Sequence, residues 1–178
     1  TVKVVDTTAP TITLNGESYI EIEVFSTYTD LGATATDNYD NSITVTTSGD
    51  VDTNVVGTYT ITYTATDSND NSSTKTRTVK VVDTTAPTIT LNGESYIEIE
   101  VFSSYNDSGA TATDNYDNSI TVTTSGDVNT NVVGTYTITY TATDSNNNTS
   151  TAERTVKVVD TTAPTITLNG ESYIEIEV

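Results

Sequence analysis

The 178-residue chain contains no cysteine, no histidine, no tryptophan and no methionine. Without cysteine, no disulfide staples the fold and no thiolate can act as a nucleophile. Without histidine, the imidazole base and the commonest protein ligand for transition metals are gone as well. Basic residues are scarce, 6 against 25 acidic ones, leaving a net charge of −19. Such a surface excludes nucleic acid as a partner, repels anionic membrane and attracts cations. Long apolar runs are also missing, so no direct membrane insertion is expected of this segment. Carboxylates stand mostly in loops or on strand faces, with no base, nucleophile or phosphate-cradling loop around them, so no enzyme is expected.

What is present is repetition. The run Val-Val-Asp-Thr-Thr-Ala-Pro-Thr-Ile-Thr-Leu occurs three times, with its aspartate at Asp6, Asp83 and Asp160, a period of 77 residues. Repeats this long, filled with short alternating segments, imply one small β domain per period rather than a solenoid coil. The division expected is 1–6 as the last strand of a preceding repeat, 7–83 and 84–160 as full repeats, and 161–178 as the first strands of a truncated one. The chain thus reads as a window on a longer array. Pro10, Pro87 and Pro164 are the only prolines and follow a polar run. Each suits a short, stiff joint between a last strand and a first strand.

Within a repeat the period-two alternation is regular. Ile12 and Leu14 face one way; Ile20, Ile22 and Val24 alternate with Tyr19, Glu21 and Glu23, whose outward carboxylates read as edge protection. Ala33 and Ala35 follow, then a strand from Ile43 to Thr47, a short one near Val55, and the longest from Thr58 to Thr66 with Tyr59, Ile61, Tyr63 and Ala65 inward. Val79 and Val81 face inward on the last, which leaves Lys80 facing out. About seven short strands with regular turn signals, and a Tyr early in the penultimate one, predict an all-β, immunoglobulin-like Greek-key sandwich, repeated in tandem as a beaded rod.

At these residues the chain resembles a family. Asp-Thr-Thr-Ala-Pro at the joint, Gly-Ala-Thr-Ala-Thr-Asp-Asn before the first acidic loop and Gly-Thr-Tyr-Thr-Ile-Thr-Tyr-Thr-Ala-Thr-Asp before the second are similar to bacterial surface-protein immunoglobulin-like repeats. Their pattern is related to hyalin-type repeats and to the stalks of giant repetitive adhesins. The resemblance implies an extracellular setting, on the cell surface or in a secreted fibre, and some members of such families bind Ca2+.

The sandwich topology returns two acidic loops to the pole where the chain enters. Asp6, Asp37, Asn38, Asp40, Asp67 and Asp70 should therefore converge in the first repeat; Asp83, Asp114, Asn115, Asp117, Asp144 and Asn146, with Asn148, in the second. Short hard-oxygen ligands beside turn carbonyls suit six- to eight-coordinate Ca2+ better than Mg2+. The competing reading is that Asp and Asn are simply good turn formers. Where the first repeat has Asp70, the second has Asn147, so either that position is no ligand or the two joints differ in affinity.

Threonines 44, 46, 60, 62, 64, 76 and 78 should form an outward face, either because Thr favours strands or for lateral packing of rods, O-glycosylation or ice ordering. N-glycosylation sequons stand at Asn71, Asn106, Asn147 and Asn148. The two repeats differ at 8 of 77 positions. Such uniformity favours a structural spacer, a surface fibre or adhesin stalk in which each domain adds about 35–45 Å and neighbouring repeats of the same chain, or identical fibres side by side, are the partners. The alternative is an adhesive module that binds a glycan or matrix protein through multivalent repeats, with Tyr39 and Tyr116 as its exposed aromatics.

Overall fold

A computed structural model describes residues 1–178. It divides into two compact units, Thr1–Thr85 and Ala86–Val178. The first has six strands: β1 (Thr11–Leu14), β2 (Tyr19–Glu23), β3 (Ala33–Thr36), β4 (Val45–Ser48), β5 (Gly57–Thr66) and β6 (Ser72–Val82). β1 and β3 form one antiparallel sheet; the other runs β2-β6-β5-β4, with β2 parallel to β6 and the remaining pairs antiparallel. Ile12, Ile61, Tyr63, Ala65 and Val79 make the buried core between the sheets, and Leu14, Ile22, Ala33, Ala35 and Val45 pack against it.

The second unit repeats this plan with β7 (Thr88–Leu91), β8 (Tyr96–Glu100), β9 (Ala110–Thr113), β10 (Val122–Ser125), β11 (Gly134–Thr143) and β12 (Thr149–Val159). Its sheets are β7-β9 and β10-β11-β12-β8, and its core is built on Ile138, Tyr140 and Val156.

The β-sandwich is the expected one, with six strands per unit rather than seven. Near Val55 the chain turns instead of extending, because Asp52 captures it. The Asp52 Oδ1 accepts both the amide and the side-chain nitrogen of Asn54, at 2.9 and 3.0 Å. An aspartate that bonds its own backbone two residues on competes with any ladder. The early tyrosine of the penultimate strand then ties this turn to the sheet, Tyr59 donating to the Val55 carbonyl at 2.8 Å and Tyr136 to Val132 at 2.8 Å. That is the corner bond of immunoglobulin-type sandwiches.

Lys80 faces out as expected, 3.0 Å from Glu21 on the neighbouring strand. The hydroxyl face is also there: Thr46 stands opposite Thr64, Thr62 opposite Thr76 and Thr60 opposite Thr78. Residues 1–6 and 161–178, expected as strands, form none. Copies of the same sequence inside the units are strands because β2 pairs with β6 and β1 with β3. A strand is a pairing, and residues 1–6 and 161–178 make none here.

Candidate functional site

The first acidic cluster is assembled from three places in the chain. Asp6 comes from the joint segment, Asp37 from the loop after β3, and Asp67 from the turn between β5 and β6. One carboxylate oxygen from each lies within 4.8 Å of the other two. Local turns aim them. Asp37 Oδ2 accepts the amides of Tyr39 and Asp40 at 2.8 and 3.2 Å, and Asp6 Oδ1 accepts the Thr8 amide at 3.1 Å. Asp67 Oδ1 accepts the amides of Asn69 and Asn71, both at 2.8 Å, and its Oδ2 accepts the Asn71 side chain at 2.6 Å. In each case the turn uses one oxygen as an anchor. The remaining oxygens, Asp6 Oδ2 and Asp37 Oδ1, are buried with no hydrogen-bond partner. Turn formation therefore accounts for half of each of those two carboxylates and leaves the other half unexplained.

The other expected residues do different work. Asp40 bridges the two loops, accepting the Ser68 amide at 2.8 Å and the Ser68 hydroxyl at 3.0 Å. Asn38 reaches Asp6 Oδ1 at 3.5 Å, and Asn71 reaches the Asp6 carbonyl at 3.4 Å. Asp70 occupies a left-handed conformation with φ of 68°, and Asn147 does so in the second unit with φ of 70°. Asp and Asn both tolerate that region, so the turn accepts either residue.

The second unit builds the same turns. Asp114 Oδ2 accepts the amides of Tyr116 and Asp117 at 2.9 and 3.0 Å. Asp144 accepts the amides of Asn146 and Asn148 at 2.9 and 2.8 Å, and Asp117 accepts Ser145. The Asn115 side chain lies 3.3 Å from both carboxylate oxygens of Asp114. Asp83 is a buried residue of the first unit, with its Oδ1 3.2 Å from the Thr85 amide.

A second cluster escaped the sequence reading. Arg77 is fully buried, and Tyr63 with it. Its guanidinium is ion-paired to Asp30, donates to the Tyr63 hydroxyl at 2.7 Å, and donates to the carbonyls of Glu17 and Asn15 at 2.9 and 2.7 Å. Tyr63 and Tyr28 both donate to Asp30, at 2.6 and 3.2 Å. Arg154, Asp107, Tyr140 and Tyr105 repeat the arrangement in the second unit. One signal was available: Arg77 is two residues before Val79 and so shares its inward face. Its partner Asp30 lies in a loop with no periodicity to place it.

Burial acts to raise the carboxyls of Asp30 and Asp67, yet both end below the usual range. For Asp30 the hydrogen bonds from Tyr63 and Arg77 outweigh burial; for Asp67 those from Asn71 and Asn69 do. Burial and Asp107 push the Tyr140 hydroxyl up to about 12, which keeps it a donor. A carboxyl depressed in the folded state contributes stability that is present above its unfolded pKa and lost as pH falls through the folded value. In metal-free buffer the melting temperature should hold down to about pH 4 and fall steeply below it. Relief of general charge repulsion acts in the opposite sense, so a melting temperature that rises from pH 4 to pH 2.5 would show these bonds to be minor.

Fold and site together define an extracellular immunoglobulin-like repeat with an acidic pole. The family model described as "Bacterial surface protein, Ig-like domain" matches residues 12–81 and again 89–158, and the chain belongs to that family. Its setting is the bacterial cell surface. The chain is 38% identical over 108 residues to the "Serine-rich adhesin for platelets" of Staphylococcus aureus strain USA300, covering 53% of this chain. It spans only 5% of that relative's length. Among solved structures, the lipoprotein BT2262 of Bacteroides thetaiotaomicron aligns with TM-score 0.37 and 28% identity over 44% of this chain and 40% of that one. Drosophila N-cadherin EC1-3 aligns with TM-score 0.33 and 14% identity over 86% and 68%.

Proposed function

We propose that the chain is a length of surface stalk whose joints are stiffened by Ca2+, spacing an adhesive or terminal region away from the cell. The observation that carries the proposal is the pair of buried, unpartnered carboxylate oxygens on Asp6 and Asp37, gathered with Asp67. Three carboxylates so close repel one another, and a hard divalent cation converts that repulsion into shared ligation. Asp6, Asp37 and Asp67 would hold the ion. The turn amides keep their side chains aimed, and Asn38 and Asn71 steady the joint segment. Because the period is 77 residues, Asp83, Asp114 and Asp144 are the same positions one repeat on, and every joint of such an array carries the set.

Ligation of this kind joins the segment leading into a domain to two loops of that domain, which restricts the hinge. Small-angle scattering of the chain in Ca2+ and then in chelator tests it. A narrower, longer distance distribution in Ca2+ is expected; identical profiles would sink the stalk-stiffening reading.

The rival adhesive reading has one observation in its favour. Tyr39 is 67% exposed beside an open cleft of about 760 Å³ lined in part by Asn38, Asn69 and Asn71. Tyr116, expected to be exposed as well, is half-buried, so binding to a glycan array that disappears in a Tyr39→Ala chain would favour the adhesive reading.

A further inference from the structure

The glutamate that ends the second strand of each unit does not act only as edge protection. Glu21 and Glu23 both point outward, but only Glu21 meets the lysine beside it. Glu23 reaches back to the joint instead. Its Oε1 accepts the Thr84 amide at 2.9 Å and the Thr85 hydroxyl at 3.0 Å, while Oε2 accepts the Thr84 hydroxyl at 2.8 Å. In the second unit Glu100 takes the amides of Thr161 and Thr162 at 2.8 and 3.2 Å and both hydroxyls, at 2.8 and 3.0 Å. Hydrogen bonds to an ionised acceptor are about twice as strong as neutral ones, and three or four converge here on one carboxylate.

From this we infer that Glu23 and Glu100 are clamps that fix the Asp-Thr-Thr-Ala-Pro joint to the domain it leaves, by a grip separate from any metal. The joint motif then reads residue by residue. The aspartate bonds the amide two residues on in all three copies, at 3.1 to 3.2 Å, making the same tight turn each time. The two threonines supply backbone and hydroxyl donors to the clamp. Proline has its φ set by its ring.

The other side of the motif is held by the domain it enters: in the first unit, Asn38 and Asn71 grip Asp6. Within the first unit, the copy of the motif that enters is met at its aspartate, and the copy that leaves is held at its threonines. The two sets of bonds share no residue, so loss of one leaves the other intact.

The absence of cysteine makes the test clean, since nitroxide labels can be placed on Thr74→Cys and Thr151→Cys alone. Both positions are exposed, one in each unit. Pulsed electron–electron distances are recorded in chelator for the labelled chain, for Glu23→Gln and for Glu21→Gln. Gln keeps the size of Glu but turns an amide nitrogen toward the donors. Glu23→Gln is expected to broaden the distance distribution relative to the labelled parent, and Glu21→Gln, which removes the charge facing Lys80, to leave it as in the parent. A Thr84→Ala, Thr85→Ala chain should broaden in the same way, removing the hydroxyl donors from the other side. A distribution in Glu23→Gln that matches the parent, or equal broadening in Glu21→Gln, overturns the clamp. The calcium reading is judged separately, by whether Ca2+ changes the parent's distances.

Discussion

Asp30→Ala is expected to cost the first unit about 3–5 kcal/mol, the range for removing one partner of a buried ion pair. Arg77 is fully buried while the Asp30 side chain is 25% exposed. Loss of the carboxylate therefore leaves a charge in the core with no counter-ion, whereas the opposite deletion would leave a carboxylate that water can reach. The Tyr63 and Tyr28 hydroxyls lose their acceptor in the same step. Arg77 also pins the carbonyls of Asn15 and Glu17, so the bend after β1 loosens along with the loop before β3. Hydrogen exchange read by mass spectrometry should show peptides of residues 10–82 losing protection, while the equivalent peptides with an intact Asp107–Arg154 pair keep theirs. A loss below about 1 kcal/mol, the usual worth of an exposed ion pair, would mean that the carbonyls alone satisfy the guanidinium.

Ca2+ is expected to raise the melting temperature. At a free concentration a hundredfold above Kd, linkage gives about 2.7 kcal/mol, or roughly 10–20 °C for a domain of this size. Asp37→Asn carries the sharper prediction, because its effect should change sign with the metal. In chelator, neutralising Asp37 relieves repulsion within the triad and should leave stability unchanged or raised. In Ca2+ the same change removes a ligand charge, so most of the stabilisation should vanish. If Asp37→Asn behaves alike in both buffers, the unpartnered oxygens have a role other than cation binding. Differential scanning calorimetry of both chains in both buffers decides it.

The acidic cluster was legible in part. Its loops could be located because Asp and Asn mark turns, and sandwich topology returns those turns to one pole. Which carboxylates point inward could not be read, since that depends on which turn amide takes which oxygen. Asp37 and Asp40 sit in one loop and look equivalent as letters; one turns an unpartnered oxygen toward Asp6 and Asp67, and the other bonds Ser68 across the gap. Glu23 was legible only as an outward residue, because its partners lie 61 and 62 residues on.

The sequence alone determined the strand faces, the period and the turns, for these follow from spacings of two residues and from side chains bonding their own backbone. Tertiary structure decided which of those segments became strands. The 24 residues from Thr1 to Val24 recur identically at 78–101 and 155–178, yet Val79 is fully buried in β6 while its copy Val2 is 95% exposed outside any strand. Ile12 is buried in β1, and its copy Ile166 is 87% exposed. Alternation marks the face a residue would bury. Burial itself, and the ladder bonds that make a strand, come from partners far away in the chain.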